Sequence, residues 1–348
     1  MLDKLRRWRI KLFQWEYWPM WAVYLPVSFY YVYLSIRARS FFFFTASNPS
    51  IETGGMFFES KWSIFKLLPK ETYPTTLFIA EKEDFETILE KLKMANLKFP
   101  MVAKPDRGER GWAVKILHSV DDLKLYLSEV SVDILLQAYI DYPIELSIFY
   151  HRIPGANIGM ISSVTSKIML SITGDGISSI EQLIRKSDRA FLQLIILKSD
   201  NSIDFNKVLN KGEKSIMVPY GNHVRGAMFE DFKTIIDDRL TQVFDEISKK
   251  TEGFYYGRYD LRCESIELLK QGIDFAILEL NGAGAEPAHI YQPGFSYFKA
   301  QKVLAQHYKI MFDISRKNKQ NGEKYMTFAE ILKLRKLEKA YKSKVKAG

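Results

Sequence analysis

Residues 275–281 read FAILELN, an apolar run that is interrupted by Glu279 and Asn281. Such a run is typical of an interior strand, and a carboxylate at that place is costly unless it binds a cation or a charged partner. Glu279 is therefore the first candidate functional residue of this chain.

A second stretch, GRYDLR at residues 257–262, carries charges that suit such a carboxylate. Because side chains alternate along a strand, Arg258 and Asp260 are predicted to share one face, and so are Glu279 and Asn281. Carboxylate and amide oxygens are hard ligands suited to Mg²⁺ bound to phosphate. Arg258 beside them is placed for a developing phosphoryl charge.

A third stretch, VAKPDRGERG at residues 102–111, ends a predicted strand at Lys104 and continues into a glycine-bearing loop. The ammonium of Lys104 can reach phosphate oxygens, while Gly108 and Gly111 let backbone amides approach them. Two other classes of nucleotide-binding protein are disfavoured. The sequence has no Gly-Lys-Ser/Thr loop of the P-loop type, and it lacks the His-Arg-Asp and Asp-Phe-Gly motifs of protein kinases.

These stretches occur in order with LLQAYIDYPIELSIFY at residues 135–150, ITGDGISSIEQLI at 172–184 and LELNGAGAEP at 278–287. The set resembles the ATP-grasp carboxylate–amine ligases over about residues 60–300, most of the chain. The similarity is greatest to the ATP-grasp part of cyanophycin synthetase-like and D-alanine–D-alanine ligase-like enzymes. It implies an ATP-grasp fold of the α+β (α/β) class, in which two subdomains clamp ATP.

The resemblance also implies roles for individual residues. Lys104 and the loop with Gly108 and Gly111 are implied to contact the phosphates. An earlier lysine, either Lys61 or Lys66, is implied to contact them as well, and Lys61 is favoured. The adenine hinge corresponds to Gln137, Ala138, Tyr139 and Ile140, and ribose binding to Glu145. Arg258 is implied as the stabiliser of the acyl-phosphate transition state. Asp260, Glu279 and Asn281 are implied as ligands of Mg²⁺, with Mn²⁺ as an alternative ion.

A fourth stretch, GNHVRGAMFED at residues 221–231, stands where cyanophycin synthetase-like proteins carry a loop near their substrates. By this resemblance Asn222, His223, Arg225 and Gly282 become candidates for substrate contact, and Arg225 also for a catalytic role. The alternative for His223 is a loop histidine without a catalytic task. Only residues 41–80 stand in place of the family's N-terminal domain, so the resemblance does not imply which carboxylate is used.

The implied reaction is ATP-dependent formation of an amide bond between a small-molecule or peptide carboxylate and an amine. The carboxylate becomes an acyl phosphate, the amine attacks it, and ADP and phosphate are released. Two alternatives stay open. One is a ligase that adds an amino acid to a protein, resembling the ribosomal-protein glutamate ligases. The other is a non-catalytic ATP-binding protein at a membrane surface.

The net charge of +9 lies at the two ends of the sequence. Residues 1–16 carry +3 and residues 315–348 carry +8, which leaves the middle of the chain at −2. A nucleic-acid groove through the body is therefore disfavoured, whereas basic ends suit an anionic surface. The single cysteine, Cys263, excludes an internal disulfide and fits a reducing, cytoplasmic setting.

Residues 17–36 contain no charged side chain and eight aromatic ones, with basic residues on both flanks. Their length just reaches a bilayer span, but Pro19 and Pro26 interrupt the segment, and Trp and Tyr prefer the headgroup zone. Three interpretations remain: a single span, a kinked or in-plane membrane segment, or a buried helix. Association of the protein with the inner face of the membrane is the favoured expectation.

The alternation of predicted strands and helices gives a coarse map of the chain. The expected parts are a membrane-associating segment at 1–40, a short region at 41–80, an ATP-grasp domain at 81–314 and a basic helical tail at 315–348. The domain divides into subdomains at 81–140 and 141–314. Phe41–Phe44 is predicted as a short strand and 230–250 as one helix. Thr327 is predicted to cap the tail helix, which either docks on the core or lies on a membrane.

Overall fold

The computed structural model describes residues 1–108, 111–199, 203–218, 221 and 223–344. The described helices are α1 (Leu2–Phe13), α2 (Met20–Ala38), α3 (Lys61–Leu67), α4 (Phe85–Met94), α5 (Val120–Glu129), α6 (Ile180–Lys186), α7 (Asp188–Leu197), α8 (Asp238–Lys250), α9 (Ile266–Leu269), α10 (Tyr297–Gln320) and α11 (Phe328–Lys342). The described strands are β1 (Thr76–Ile79), β2 (Met101–Pro105), β3 (Lys115–Leu117), β4 (Ile134–Ala138), β5 (Ile144–His151), β6 (Met160–Ile168), β7 (Leu170–Thr173), β8 (Lys214–Val218), β9 (Met228–Asp231), β10 (Tyr256–Cys263) and β11 (Phe275–Asn281).

These strands form three sheets. A four-stranded sheet has the order β1-β4-β2-β3, a five-stranded sheet has the order β11-β10-β5-β6-β9, and β7 pairs with β8. Neighbouring strands in these sheets run antiparallel. The class is therefore α+β, one of the two alternatives that the alternation of elements left open.

Helices α4 and α5 cover one face of the four-stranded sheet. Leu92, Leu123 and Tyr126 from the helices pack with Met101 and Leu136 from the strands, and all five are buried. Both helices begin at side-chain caps. The aspartate that precedes α4 accepts hydrogen bonds from two backbone amides in the first turn of that helix. A capping box starts α5.

The five-stranded sheet carries the larger core. Phe244 of α8 and Ile64 of α3 pack with Leu146, Tyr259 and Ile277 of the sheet. Helix α8 begins at Asp238, because the preceding aspartate accepts a hydrogen bond from the amide of Leu240 and so caps it. The predicted helix over 230–250 is therefore wrong at its start, where strand β9 and a short 3-10 turn stand.

The predicted strand at Phe41–Phe44 is also wrong, since Phe43–Ala46 form a 3-10 turn. Side chains that follow the aromatic run explain this outcome. The hydroxyl of Thr45 donates to the carbonyl of Phe42 at 2.8 Å, and that of Ser47 donates to the carbonyl of Phe44 at 2.7 Å. Such local hydrogen bonds favour turns over extended backbone. The burial expected for the run is confirmed at Phe43 and Phe44.

Helix α2 packs along α10. Its residues Val23 and Val27 lie in one buried cluster with Leu304, and Leu34 lies in a second with Phe312. Pro26 lies inside the helix. In the part of the chain that the structure describes, no helix is both long enough and apolar enough to cross a membrane.

The tail helix α11 begins at the predicted capping box of Thr327 and Glu330. It docks on the body through buried Ile331 and through Tyr341, whose hydroxyl donates to the carbonyl of Asp133 at 3.1 Å. Other apolar residues of α11 are exposed: Phe328, for example, is 65% exposed. Strand β1 belongs to the first sheet although it precedes residue 81, and α10 continues past residue 314.

Candidate active site

A cavity of about 1010 Å³, including the part that opens to solvent, lies between the four-stranded and the five-stranded sheet. The first sheet contributes Lys104 and Gln137 to its wall, and the second contributes Asp260 and Glu279. The cavity therefore brings together stretches that lie more than a hundred residues apart in the sequence.

Two carboxylates face each other on the floor of the cavity. In the register of β10 and β11, Asp260 is opposite Glu279 and Arg258 is opposite Asn281. The predicted sharing of one face by these pairs is confirmed. The register then shifts, so that Leu261 is opposite Ile277 and Leu278 forms a β-bulge. Bulges of this kind commonly stand next to active sites, where they redirect neighbouring groups.

Asp260 is held ionised by its neighbours. Its carboxylate accepts hydrogen bonds from Arg258 Nε at 2.9 Å and from the hydroxyl of Ser147 at 2.6 Å, and Lys167 Nζ lies 3.3 Å away. Burial by itself would raise the pKa of Asp260, but the charges of Arg258 and Lys167, together with these hydrogen bonds, hold it well below its usual range. Asn281 Nδ2 lies 3.4 Å from the same carboxylate.

Lys104 stands on the opposite wall. Its ammonium donates to Gln137 Oε1 at 2.9 Å and to the backbone oxygen of Leu278 at 3.0 Å, and it lies over the ring of Phe65. Burial lowers the pKa of Lys104 to about 8, although the charge of Glu279 opposes that shift. A buried ammonium of this kind is ready to exchange neutral partners for a phosphate.

Lys61 is the earlier lysine that reaches the cavity. Its ammonium donates to the backbone oxygen of Gly108 and lies 3.7 Å from Glu279 Oε1. Lys66, on the same helix, is exposed and does not line the cavity. Of the two alternatives that sequence spacing left open, Lys61 lines the cavity and Lys66 does not.

The strand end at residues 137–140 forms one rim of the cavity, and all four residues of the predicted hinge line it. The side chain of Gln137 is engaged on both sides, since it also donates from Nε2 to the hydroxyl of Thr76 at 2.9 Å. Glu145 follows on the next strand and also lines the wall.

Comparison with known proteins agrees with this arrangement. Residues 59–148 match the family model of the RimK-like ATP-grasp domain, a segment with Lys61, Lys104 and the hinge. This match covers 90 of the 348 residues. Over these residues the resemblance to the ATP-grasp fold noted in the sequence is confirmed, and no curated protein matches the chain.

Several solved structures are similar at low identity. D-alanine–D-alanine ligase from Bacillus anthracis shows 17% identity and a TM-score of 0.42, over 78% of this chain and 70% of its own. VanG D-Ala:D-Ser ligase from Enterococcus faecalis shows 13% identity and a TM-score of 0.42, over 76% of this chain and 62% of its own. The bifunctional glutathione synthetase from Pasteurella multocida shows 15% identity and a TM-score of 0.40, over 72% of this chain and 35% of its own. The chain thus spans about a third of the synthetase and under two thirds of the VanG ligase.

Two basic residues that line the cavity were missed in the sequence. Lys167 of β6 lies 3.7 Å from Glu145 and 3.3 Å from Asp260. Arg262 donates from Nε to Glu145 at 3.2 Å and from Nη1 to the backbone oxygen of Ile140 at 2.8 Å. The alternation that identified Arg258 and Asp260 also places Arg262 on their face, so a signal for Arg262 was present.

The predicted glycine loop is only partly described, because residues 109–110 lie outside the described part. Gly108 and Gly111 both line the cavity and both have positive φ, 148° and 73°. At Gly108 a Cβ would stand 2.8 Å from the ring of Trp112. Glycine is thus required at this position both by the backbone conformation and by the close aromatic ring.

Of the candidates from the fourth stretch that the structure describes, neither His223 nor Arg225 lines the cavity, although Gly221 at the start of the stretch does. Asn222 lies outside the described residues, and Arg225 is exposed. His223 packs among the rings of Tyr17, Phe229 and Tyr291, and burial lowers its pKa to about 4. This environment favours the interpretation of His223 as a packing residue.

Gly282, which follows the metal-ligand candidates, packs closely against another backbone segment. A Cβ at this position would meet the backbone oxygen of Gly54 at 2.4 Å and the Cα of Gly55 at 2.8 Å. The amides of the next two residues donate to Gly54 and Gly55 at 2.9 and 2.8 Å. The two backbone segments therefore lie in direct contact, which a side chain at Gly282 would prevent.

Helix α2 reaches the edge of the site through Tyr24. Its hydroxyl donates a short hydrogen bond to Glu286, and Arg258 Nη1 donates to the backbone oxygen of Glu286 at 3.0 Å. Burial and the Glu286 charge raise the pKa of Tyr24 well above its usual range. The N-terminal segment is thus connected to the arginine of the candidate active site.

Proposed function

We propose that this protein is an ATP-dependent carboxylate–amine ligase. The observation that carries the proposal is one cavity that brings the carboxylates of Asp260 and Glu279 together with the ammonium groups of Lys61 and Lys104. Carboxylates and ammonium groups around one cavity suit a nucleotide whose phosphates are bound with a divalent cation. The match to the RimK-like ATP-grasp domain supports the same conclusion.

In this proposal the nucleotide lies along the cavity. The backbone of residues 137–140 forms hydrogen bonds with the edge of the adenine, and the carboxylate of Glu145 accepts hydrogen bonds from the ribose hydroxyls. Lys104 and Lys61 bind phosphate oxygens, for which they exchange their present backbone partners. The loop with Gly108 and Gly111 covers the phosphates with backbone amides.

Asp260, Glu279 and Asn281 fit a Mg²⁺ ion by the chemistry of their donor atoms. Together they offer two carboxylates and one amide, all hard ligands. Among the described residues no three His, Cys, Asp or Glu side chains cluster to form a metal site, so phosphate oxygens would complete the coordination here. Such an ion neutralises phosphate charge during transfer, and Mn²⁺ has the same preference for oxygen.

The chain's own residues then position two successive attacks. A carboxylate oxygen of the first substrate bonds to the γ-phosphorus of ATP, and the bond to the ADP oxygen breaks. The amine nitrogen of the second substrate next bonds to the acyl carbon, phosphate leaves, and the amine loses its proton. Arg258, fixed by Asp260 and by the backbone of Glu286, stabilises the charge on the transferring group.

The test is ADP release from purified protein given ATP, Mg²⁺ and a cell extract with its lipid fraction. Mass spectrometry identifies a condensation product that wild-type protein forms. The proposal expects Glu279→Gln and Asp260→Asn to lose product and ADP release, while Glu267→Gln, at an exposed residue of helix α9, behaves as wild type. Undiminished ADP release in both site variants would reject the assignment. A product found among ribosomal proteins would instead support the protein-modifying alternative.

We also propose that the reaction takes place at the inner face of a membrane. Residues 1–40 form helices with exposed aromatic and aliphatic side chains and basic flanks. The cytoplasmic side is the one that supplies ATP, and the lone cysteine fits it. Fractionation of cells that express the full chain tests this location, and recovery entirely outside the membrane fraction would contradict it.

A further inference from the structure

The first two helices expose an unusual amount of apolar surface. On α2, Trp21, Leu25, Phe29 and Ile36 recur at helical spacing and are 70%, 53%, 72% and 72% exposed. They lie opposite the residues that pack on α10. We call the exposed side chains of α1 and α2 the outer face. Its apolar members are Leu2, Leu5, Trp8, Leu12, Phe13, Met20, Trp21, Leu25, Phe29, Val32, Tyr33 and Ile36.

Helix α1 is fixed to the body by its other side. Arg6 Nη2 lies 2.7 Å from Asp188 Oδ1, the guanidinium groups of Arg6 and Arg7 lie over the ring of Phe191, and Ile10 is buried. Trp8, by contrast, is 61% exposed. Helix α1 is therefore docked on the body by one side and exposes its other side.

Charges around the outer face are basic. Lys4, Arg9, Lys11, Arg37 and Arg39 are exposed at the two ends of the segment. Its two acidic residues pair with arginines of the body instead: Asp3 with Arg185 at 2.9 Å and Glu16 with Arg189 at 2.7 Å.

We infer that the outer face lies in the plane of an anionic bilayer, with its aromatic side chains in the headgroup zone and its basic residues on lipid phosphates. Amphipathic helices with Trp, Phe and Leu on one side and Lys and Arg beside them bind membranes in this manner. This inference rests on the proposed membrane location and not on the ligase chemistry.

Charge complementarity favours a lipid surface over a second copy of this chain. A two-fold interface would bring the same patch of both copies together and so place basic residues opposite basic residues. An anionic surface removes that repulsion and gains attraction from each lysine or arginine near it. The aromatic composition also suits a zone that is apolar on one side and wet on the other.

The test is flotation of the full-length protein with vesicles. One set is phosphatidylcholine alone, and the other is an equimolar mixture with phosphatidylglycerol. We expect binding to the anionic vesicles, and a loss of at least about tenfold in the variant Phe29→Glu/Ile36→Glu. The variant Lys4→Gln/Arg9→Gln/Lys11→Gln should lose the preference for anionic vesicles by a similar factor, about tenfold.

A matched control replaces two exposed apolar residues elsewhere. Met94 and Ile177 are 87% and 85% exposed, on α4 and before α6, so Met94→Glu/Ile177→Glu adds the same charge away from the outer face. It should float as wild type does. A blue shift of tryptophan emission on vesicle binding should decrease in Trp8→Phe/Trp21→Phe, although four other tryptophans remain of the six.

Each other outcome overturns the inference. Wild-type protein that stays with neither vesicle has no membrane face, and equal losses in the control and in Phe29→Glu/Ile36→Glu mean that the binding does not use this face. Light scattering without lipid that shows a wild-type dimer and a monomeric Phe29→Glu/Ile36→Glu variant assigns the face to a second copy. ATP binding, measured on every variant, reports the catalytic proposal separately, so the failure of one proposal is distinguished from the failure of the other.

Discussion

Lys104 donates a hydrogen bond to the backbone oxygen of Leu278, 3.0 Å away, and Leu278 is the bulged residue of β11. The bond joins the two sheets at the cavity. The shift in register at the bulge leaves this carbonyl available to the ammonium instead of to β10. A phosphate that binds Lys104 therefore competes with a contact between the two layers of the fold.

The first prediction concerns the ionisation of Lys104. With a pKa of about 8, its ammonium begins to lose its proton just above neutral pH, and a bound phosphate would raise that pKa again. We expect ATP binding near pH 8 to take up protons. Calorimetry in buffers of different ionisation enthalpy measures this uptake.

The control for this uptake is Lys104→Arg, because arginine keeps its charge throughout this range. The variant should show little proton uptake. Equal uptake in both proteins would mean that another group titrates. Since the pKa of Lys104 is lowered by folding, its burial penalty is fully present below pH 8 and is relieved as pH rises. Wild-type protein should therefore gain roughly 1 kcal/mol of stability relative to Lys104→Arg between pH 7 and pH 9.

A second prediction separates the two carboxylates by their effect on stability. Asp260 is buried against Arg258 and Lys167, so Asp260→Asn leaves two buried cations short of a partner and should cost about 3 kcal/mol. The side chain of Glu279 is 36% exposed, so Glu279→Gln should cost less than about 1 kcal/mol. Denaturant unfolding at pH 7 measures both.

The pH dependence gives a check on this difference. Because folding lowers the pKa of Asp260, its contribution is present above the ordinary pKa of an aspartate and is lost as pH falls through the lowered value. Wild type and Asp260→Asn should therefore converge in stability under acid conditions. A constant gap down to low pH would show that the loss at pH 7 has another origin.

A third prediction tests the backbone contact at Gly282. Gly282→Ala would place a Cβ 2.4 Å from the oxygen of Gly54, which requires the two segments to separate at a cost of about 2 kcal/mol or more. Gly155→Ala is the comparison, since its surroundings are open and only its positive φ of 89° is strained. It should cost about 1 kcal/mol. Thermal unfolding that ranks them in the opposite order would reject the packing account.

A fourth prediction concerns Tyr24. Removing its hydroxyl in Tyr24→Phe deprives Glu286 of a hydrogen bond, at a cost of about 1–3 kcal/mol, and loosens the carbonyl that holds Arg258. We expect slower ADP release with unchanged ATP affinity. Tyr33→Phe, on the exposed side of the same helix, is the control and should match wild type. A fall in ATP affinity in place of a fall in rate would contradict the positioning role.

How much the sequence predicts depends on how local each signal is. Strand alternation was enough to place Arg258 and Asp260 on one face of their strand, and Glu279 and Asn281 on one face of theirs, because the period of a strand is a property of its own residues. The bulge at Leu278 depends on its partner strand and could not be read from one stretch. Lys167 carries no local mark either, since a lysine on a strand looks like an ordinary solvent-facing residue. Its role arises only when β6 places it beside Asp260.

The aromatic N-terminal segment shows the same limit. Its composition predicted contact with lipid or burial, and a helix with one packed and one exposed side combines features of both. Packing against α10 determines which side of α2 is buried. Because α10 begins almost 300 residues along the chain, the local composition of α2 does not predict this packing.

The central claim, a metal-dependent nucleotide site in the cavity between the two sheets, is tested most directly by calorimetric titration of ATP with and without Mg²⁺. The account predicts that Mg²⁺ strengthens ATP binding to the wild-type protein by at least about tenfold, and that Glu279→Gln binds ATP with little gain from Mg²⁺. Failure of the wild-type protein to bind ATP, or an undiminished gain from Mg²⁺ in Glu279→Gln, would contradict it.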